Sequence, residues 1–243
     1  MDHAVKIFIL AGGLGTRIRP LFPDCPKPLV PFHGKPFLQW QIELLASQGF
    51  SDFVLCVGYL ADQIQSHFGD GSRWGITISY VLESVPLGTG GAIQNAANYF
   101  TDTIFLLNGD TYLNTNYQKL LDQHRRQLLS CQTLASLCLV NRDDTDRYGK
   151  VDVSSENQIL GFQEKSAFPG PGLVNGGVYL LEPKILEFLP IGRSVSLEQE
   201  TLPLLISEKQ GVFGITIEDS FIDMGTPDGY ASLLSHLNPN QSA

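Results

Sequence analysis

The chain has 243 residues, of which 43% are hydrophobic and 17% charged, with a net charge of −9; this suffices for one substantial core. The acidic balance speaks against a nucleic-acid surface, which needs a basic face, so an anionic small molecule must be met by a local cluster of Arg and Lys. No apolar run nears the roughly twenty residues that span a bilayer, and the N-terminus lacks a signal-peptide pattern, so a cytoplasmic setting is expected.

In chain order, Val5–Leu10 is an almost unbroken apolar run, as in a strand buried on both faces of a parallel sheet. A loop with three glycines in four positions, Gly12, Gly13 and Gly15, follows it. Without β-carbons, such backbone lets its amides approach phosphate oxygens. Arg17 and Lys27 add mobile positive charge, and Pro26 and Pro28 are expected to hold Lys27 extended. The dinucleotide fingerprint fails here because Ile18 stands where its third glycine belongs, and no Gly-x4-Gly-Lys-Ser/Thr run occurs.

Lys35–Gly49 has the spacing of a helix, Phe53–Val57 of a buried strand, Ala61–Phe68 of a helix and Ile76–Leu82 of a third strand. This alternation marks a parallel sheet wrapped by helices. Glu83 to Ala92 carries Gly88, Thr89, Gly90 and Gly91, with a helix expected from about Ala92 to Tyr99. A fourth strand, Thr103–Leu107, ends in Asn108-Gly109-Asp110, a position where open α/β sheets gather ligand-binding residues. Asn116–Leu128 is amphipathic and basic at its end, so His124 is expected on a solvated face and receives no role. Strands are expected over Thr133–Val140, Lys150–Val153, Ile159–Glu164, Val178–Leu181 and Val212–Ile217, with a helix over Ser196–Glu208. Asp223 follows, and Thr226-Pro227 opens a terminal helix with a cap and a first-turn proline. Cys25, Cys56, Cys131 and Cys138 have no metal-ligand spacing, so reduced thiols are expected, with Cys56 in the core.

Gly-Gly-x-Gly-Thr-Arg over 12–17, followed by Pro26-Lys27-Pro28, resembles the signature of the sugar-nucleotide pyrophosphorylases (nucleotidylyltransferases), and five motifs in the same order extend the resemblance from Ile9 to Leu237. It implies a Rossmann-like (GT-A-type) α/β fold, with a mixed, mainly parallel sheet flanked by helices and a smaller sugar-binding portion. The expected organisation is a single domain over 1–237, its nucleotide-binding part about 1–140 and its sugar-binding part about 141–222, before a disordered tail at 238–243. The reaction implied is NTP plus sugar 1-phosphate giving a nucleotide sugar and pyrophosphate, with Mg²⁺ as cofactor.

The resemblance further implies Arg17, Lys27, Asp110 and Lys165 as catalytic residues and Asp110 and Asp223 as metal ligands. It implies Leu10, Ala11, Gly12, Gly13, Gly15, Thr16, Glu83, Gly88 and Thr89 around the nucleotide, and Gly149, Glu164, Lys165 and Asn175 around the sugar. A carboxylate at Glu83 could accept from both the ring N–H and the amino group of guanine, which leans towards GTP. Lys35-Pro36-Phe37-Leu38, Val57-Gly58-Tyr59, Pro86 to Ala92 and Ser196-Leu197-Glu198 are most similar to D-glycero-α-D-manno-heptose 1-phosphate guanylyltransferases, which serve surface-polysaccharide synthesis. Alternatives within the class are mannose 1-phosphate with GTP, or another sugar phosphate with UTP, CTP or dTTP. From other classes, a GT-A glycosyltransferase would normally show Asp-x-Asp where Asn108-Gly109-Asp110 stands, and a non-catalytic regulatory subunit would lose the metal aspartates or the loop arginine. A homo-oligomer is compatible with the family, and no nucleic-acid or membrane partner is expected.

Overall fold

A computed structural model describes residues 5–143, 145, 149–163 and 170–237. Glu164 and Lys165, and the tail from Asn238, lie outside the described residues. The elements are β1 (Lys6–Ala11), β2 (Pro31–Phe32), β3 (Lys35–Pro36), α1 (Phe37–Ala46), β4 (Asp52–Val57), α2 (Ala61–Phe68), β5 (Thr77–Leu82), α3 (Gly88–Asn95), β6 (Ile104–Asn108) and β7 (Thr111–Asn114). They continue with α4 (Tyr117–Ser130), β8 (Ala135–Arg142), β9 (Lys150–Val153), β10 (Ile159–Gln163), β11 (Gly172–Leu181), α5 (Leu202–Ser207), β12 (Val212–Ile217), β13 (Ser220–Asp223) and α6 (Pro227–His236).

The chain divides into two compact units. The first comprises the residues up to Pro86, Leu107–Asn114 and those from Ser220 onward; the second comprises Leu87–Leu106 and Thr115–Asp219. In the first unit β1, β4 and β5 pair in parallel; the apolar runs of β1 and β4 place Ile7, Phe8, Ile9 and Phe53–Val57 wholly buried, while β5 is largely half-exposed. The register sets Ala11 beside Val57 and Val57 beside Leu82. The three strands therefore end level, and Gly12, Gly58 and Glu83 emerge side by side. The second unit has a mixed sheet in which β8 pairs parallel with β12 and antiparallel with β11, and β9 pairs antiparallel with both β11 and β10. The fold class is thus the Rossmann-like, mixed α/β one expected, with its parallel part carrying the glycine loop.

Four local expectations need correction. Lys27 is not extended: Lys27–Leu29 forms one 3-10 turn, closed by Leu29 N–H to Pro26 O at 2.8 Å and Val30 N–H to Lys27 O at 3.2 Å. Proline's fixed φ suits the opening of such a turn as well as it suits an extended chain. The third helix begins at Gly88, four residues early, because Gly90 and Gly91 are packed inside it and buried. The segment from Leu197 opens as a π-helical turn, Leu197–Thr201, before α5 begins. His124 is not solvated but 0% exposed, with Nδ1 at 2.7 Å from Ser136 Oγ and Nε2 at 3.1 Å from Glu182 Oε1.

Candidate active site

The glycine loop owes its shape to its neighbours at the strand ends. A β-carbon on Gly12 would stand 3.1 Å from Glu83 Oε1 and 3.2 Å from the Gly58 nitrogen, so side-chain bulk here would push apart the level ends of β1, β4 and β5. Glu83 itself is fixed by its N–H to Val57 O at 2.8 Å. Gly15 has φ +60, and its missing β-carbon leaves room for Lys27, whose Cβ would be only 3.0 Å away. This position needs glycine for both conformation and space. The chain then turns through Ile18 N–H and Arg19 N–H to Gly15 O, at 3.1 and 2.9 Å, which leaves Arg17 well exposed, at 62% of its side chain.

Lys27 ion-pairs with Asp110, and Arg17 Nη1 lies 4.0 Å from Asp223 Oδ2. The two aspartates are neighbours because β13 pairs antiparallel with β7, setting Asp223 opposite Thr111, and because Met224 N–H donates to Asp110 O at 2.9 Å. Asp223 Oδ1 in turn takes the Gly225 N–H at 2.8 Å. A β-carbon on Gly225 would meet Lys27 Nζ at 2.7 Å, Asp223 Oδ1 at 2.8 Å and Arg17 Nη2 at 3.0 Å. Both cations and the Asp223 carboxylate thus converge over one backbone position, with Asp110 held against the same lysine.

Apolar residues shortly after Lys27, Asp110 and Asp223 anchor the segments that carry them. Val30 and Phe32 follow Lys27, Tyr112 follows Asp110, and Met224 follows Asp223; all four lie in one buried cluster with Phe37 and Leu233. Burying such side chains contributes roughly 1.5–3 kcal/mol each, against about 0–1 kcal/mol for a solvent-accessible ion pair, so the cluster rather than the pairs holds the segments in place. Gln41 of α1, 2% exposed, adds a clamp: its Nε2 donates to Asn108 O at 3.1 Å and Thr111 O at 2.7 Å, bracketing the turn that presents Asp110. Gly109 in that turn faces Leu10 O at 2.1 Å from where a β-carbon would sit, so the turn tolerates no side chain.

In the second unit, Gly88 has φ +71 and would meet Val195 O at 2.5 Å through a β-carbon. Thr89 is committed within the protein: Oγ1 accepts Leu197 N–H at 2.8 Å and donates to Glu198 Oε2 at 2.6 Å. Asn175 lies at a register shift of β11, where Oδ1 takes Gly177 N–H at 3.0 Å and Nδ2 donates to Tyr179 OH at 2.9 Å. Gly149 is exposed immediately before β9.

The first unit therefore brings together Arg17, Lys27, Asp110 and Asp223, with Gly12, Gly13, Gly15, Thr16 and Glu83 at the same strand ends, where Leu10 and Ala11 close β1. Gln41 and Gly225 were missed by sequence reasoning. Gly225 follows directly on Asp223-Met224, a signal that could have singled it out; a glutamine on an apolar helix face carries none.

Among the described residues no group of three or more His, Cys, Asp or Glu side chains forms a metal cluster. Two carboxylates at neighbouring strand ends nevertheless suit a hard divalent cation that completes its shell with phosphate oxygens and water. A parallel α/β unit that presents loop amides, two cations and two carboxylates at its strand ends is a phosphate-handling α/β protein. The chain belongs to the nucleotidyl transferase family, whose sequence profile matches residues 6–239.

It is 36% identical over 244 residues to mannose-1-phosphate guanylyltransferase of Mycobacterium tuberculosis, covering 98% of this chain and 67% of that protein. It is 35% identical over 233 residues to D-glycero-alpha-D-manno-heptose 1-phosphate guanylyltransferase of Campylobacter jejuni, covering 95% of this chain and 99% of that protein. Crystal structures of HddC from Yersinia pseudotuberculosis, one of them complexed with GMP-PN, match with a TM-score of 0.83 and 33% identity over 96% of this chain and 100% of that one.

Proposed function

We propose that this chain joins GTP and D-glycero-α-D-manno-heptose 1-phosphate to give GDP-heptose and pyrophosphate. The observation that carries the reading is the convergence of Lys27, Arg17 and Asp223 over Gly225, with Asp110 against Lys27. An oxygen of the sugar phosphate attacks the α-phosphorus in line, the bond to the β-phosphate oxygen breaks, and pyrophosphate leaves. The attacking oxygen is already ionised at neutral pH, so no side chain has to remove a proton and no protein nucleophile is needed.

Catalysis then consists of positioning and charge stabilisation. Loop amides from Gly12 to Thr16 receive the triphosphate, Arg17 meets the departing pyrophosphate, and Lys27 meets the phosphates that approach one another. Lys165 adds charge on the sugar phosphate, while Glu164, Asn175 and Gly149 face the sugar. Glu83, Gly88 and Thr89 flank the base, with Leu10 and Ala11 beneath the nucleotide. Asp110 and Asp223 would hold Mg²⁺, which supplies further neutralisation of phosphate charge when bound. A cytoplasmic setting, where GTP is available, suits this chemistry.

Support for guanine and heptose comes from the Campylobacter jejuni relative, which matches end to end. The Mycobacterium tuberculosis relative favours a second reading, mannose 1-phosphate with GTP. Pyrophosphate release with Mg²⁺, across five nucleoside triphosphates against heptose, mannose and glucose 1-phosphates, separates the two. Release with GTP and heptose phosphate is expected, and release with mannose phosphate alone would select the second reading. Asp110→Asn and Lys27→Ala should each lower turnover by about 10²-fold or more. Unchanged turnover in folded variants would refute those roles.

A further inference from the structure

The hydrogen bonds around Glu198 run in one fixed direction. Tyr179 OH accepts from Asn175 Nδ2 at 2.9 Å and donates to Glu198 Oε1 at 2.9 Å. On the other oxygen, Thr89 Oγ1 donates at 2.6 Å after accepting Leu197 N–H, and Ser196 Oγ donates at 3.1 Å. A hydroxyl has one proton, and an ionised carboxylate only accepts, so three donors end on this one group. Tyr179 is wholly buried, so bulk water does not reach its hydroxyl.

The same segment holds the glycine-rich stretch by its backbone. Val195 N–H donates to Leu87 O at 2.8 Å, and Val195 O accepts Gly90 N–H at 3.0 Å. The π-helical turn Leu197–Thr201 keeps the Glu198 side chain on the chain's own Thr89 and Tyr179. Asn175 is oriented at both ends of its amide, by Gly177 and by Tyr179, so its remaining donor and acceptor have a defined direction.

We infer that Glu198 is a positioning residue that ties the nucleotide-facing Gly88–Thr89 segment to the sugar-facing Asn175, so that one carboxylate sets the geometry of both substrate subsites. This rests on the function proposed above. In Glu198→Gln, one oxygen becomes an NH₂ that faces a hydroxyl whose proton then has no acceptor, so at least one arm must rewire.

Initial rates with GTP, heptose 1-phosphate and Mg²⁺ test this in volume-conserving variants. Tyr179→Phe should raise KM for the sugar phosphate about tenfold while KM for GTP stays within about twofold; Thr89→Val should do the reverse. Glu198→Gln should raise both. A role in stability alone would lower the melting temperature of all three variants without this division. If wild type releases pyrophosphate but Glu198→Gln leaves both KM values within about twofold, or Tyr179→Phe and Thr89→Val move the same KM, the inference is overturned. A folded wild type inactive with every substrate pair overturns the functional reading itself, and this inference with it.

Discussion

At the scale of single residues, two glycines near the carboxylates separate chemistry from folding. The atoms nearest a β-carbon on Gly225 are the side-chain ends of Lys27, Arg17 and Asp223 rather than backbone, so Gly225→Ala should leave the melting temperature near wild type. It should still cut turnover by about tenfold or more, since sub-ångström displacement of charges is costly to an oriented reaction. Gly109 faces backbone at 2.1 Å, and Gly109→Ala should cost about 3 kcal/mol or more in urea unfolding, with activity lost alongside. Gln41→Leu belongs between them. It strips two hydrogen bonds from the turn carrying Asp110, and a stability loss of about 1–3 kcal/mol is expected by the same unfolding measurement. The side chains at the first unit's strand ends were legible in the sequence because glycine runs, flanked lysines and strand-end aspartates each have a local chemical reason. Gln41 was not, since its partners are main-chain oxygens 67 and 70 positions away.

At the scale of elements, apolar runs and helical spacing located most of the long strands and helices to within a few residues, but β11 begins at Gly172, well before the Val178 expected for it. The misses have common causes. Short pairs such as β2–β3 and β7–β13 are made by tertiary partners rather than by their own sequence pattern. Glycines that read as a loop before α3 are inside it because only they fit against Val195 and Leu189. His124 looked solvated among arginines, yet its polar partners lie on β8 and just after β11, which no helical periodicity reveals. Those partners make acid sensitivity predictable. Burial alone would raise the Glu182 carboxyl, but hydrogen bonds from His124 and Thr103, with the histidine's charge, hold it below its ordinary 4.5. A depressed acid stabilises the fold at neutral pH and loses that contribution as pH falls through and below this range. Urea unfolding of wild type and Glu182→Gln should therefore show a gap at pH 7 that narrows below about pH 4.5. A gap independent of pH would contradict it.

At the scale of the whole molecule, two thiols report on the two units separately. Burial, helped by Glu83, pushes Cys56 up to about 12, and burial pushes Cys138 up to about 12. Only the thiolate reacts, so labelling of the native protein should stop at Cys25 and Cys131 and reach all four cysteines after unfolding. Cys56 belongs to the first unit and Cys138 to the second, so mass spectrometry at intermediate urea would show whether they open together.

The chain passes between the units at Pro86, Leu106, Asn114 and Asp219, and the first unit contains both β1 and β13. A ribosome threading this protein out therefore delivers the glycine loop and Lys27 well before Asp223. Until then the nascent first unit lacks the strand that sets Asp223 beside Thr111 and the Met224 and Leu233 side chains of its apolar cluster. Long sequence separation of this kind slows folding. The emerging chain must wait with β7 unpaired until β13 follows, and only then can its charged centre assemble.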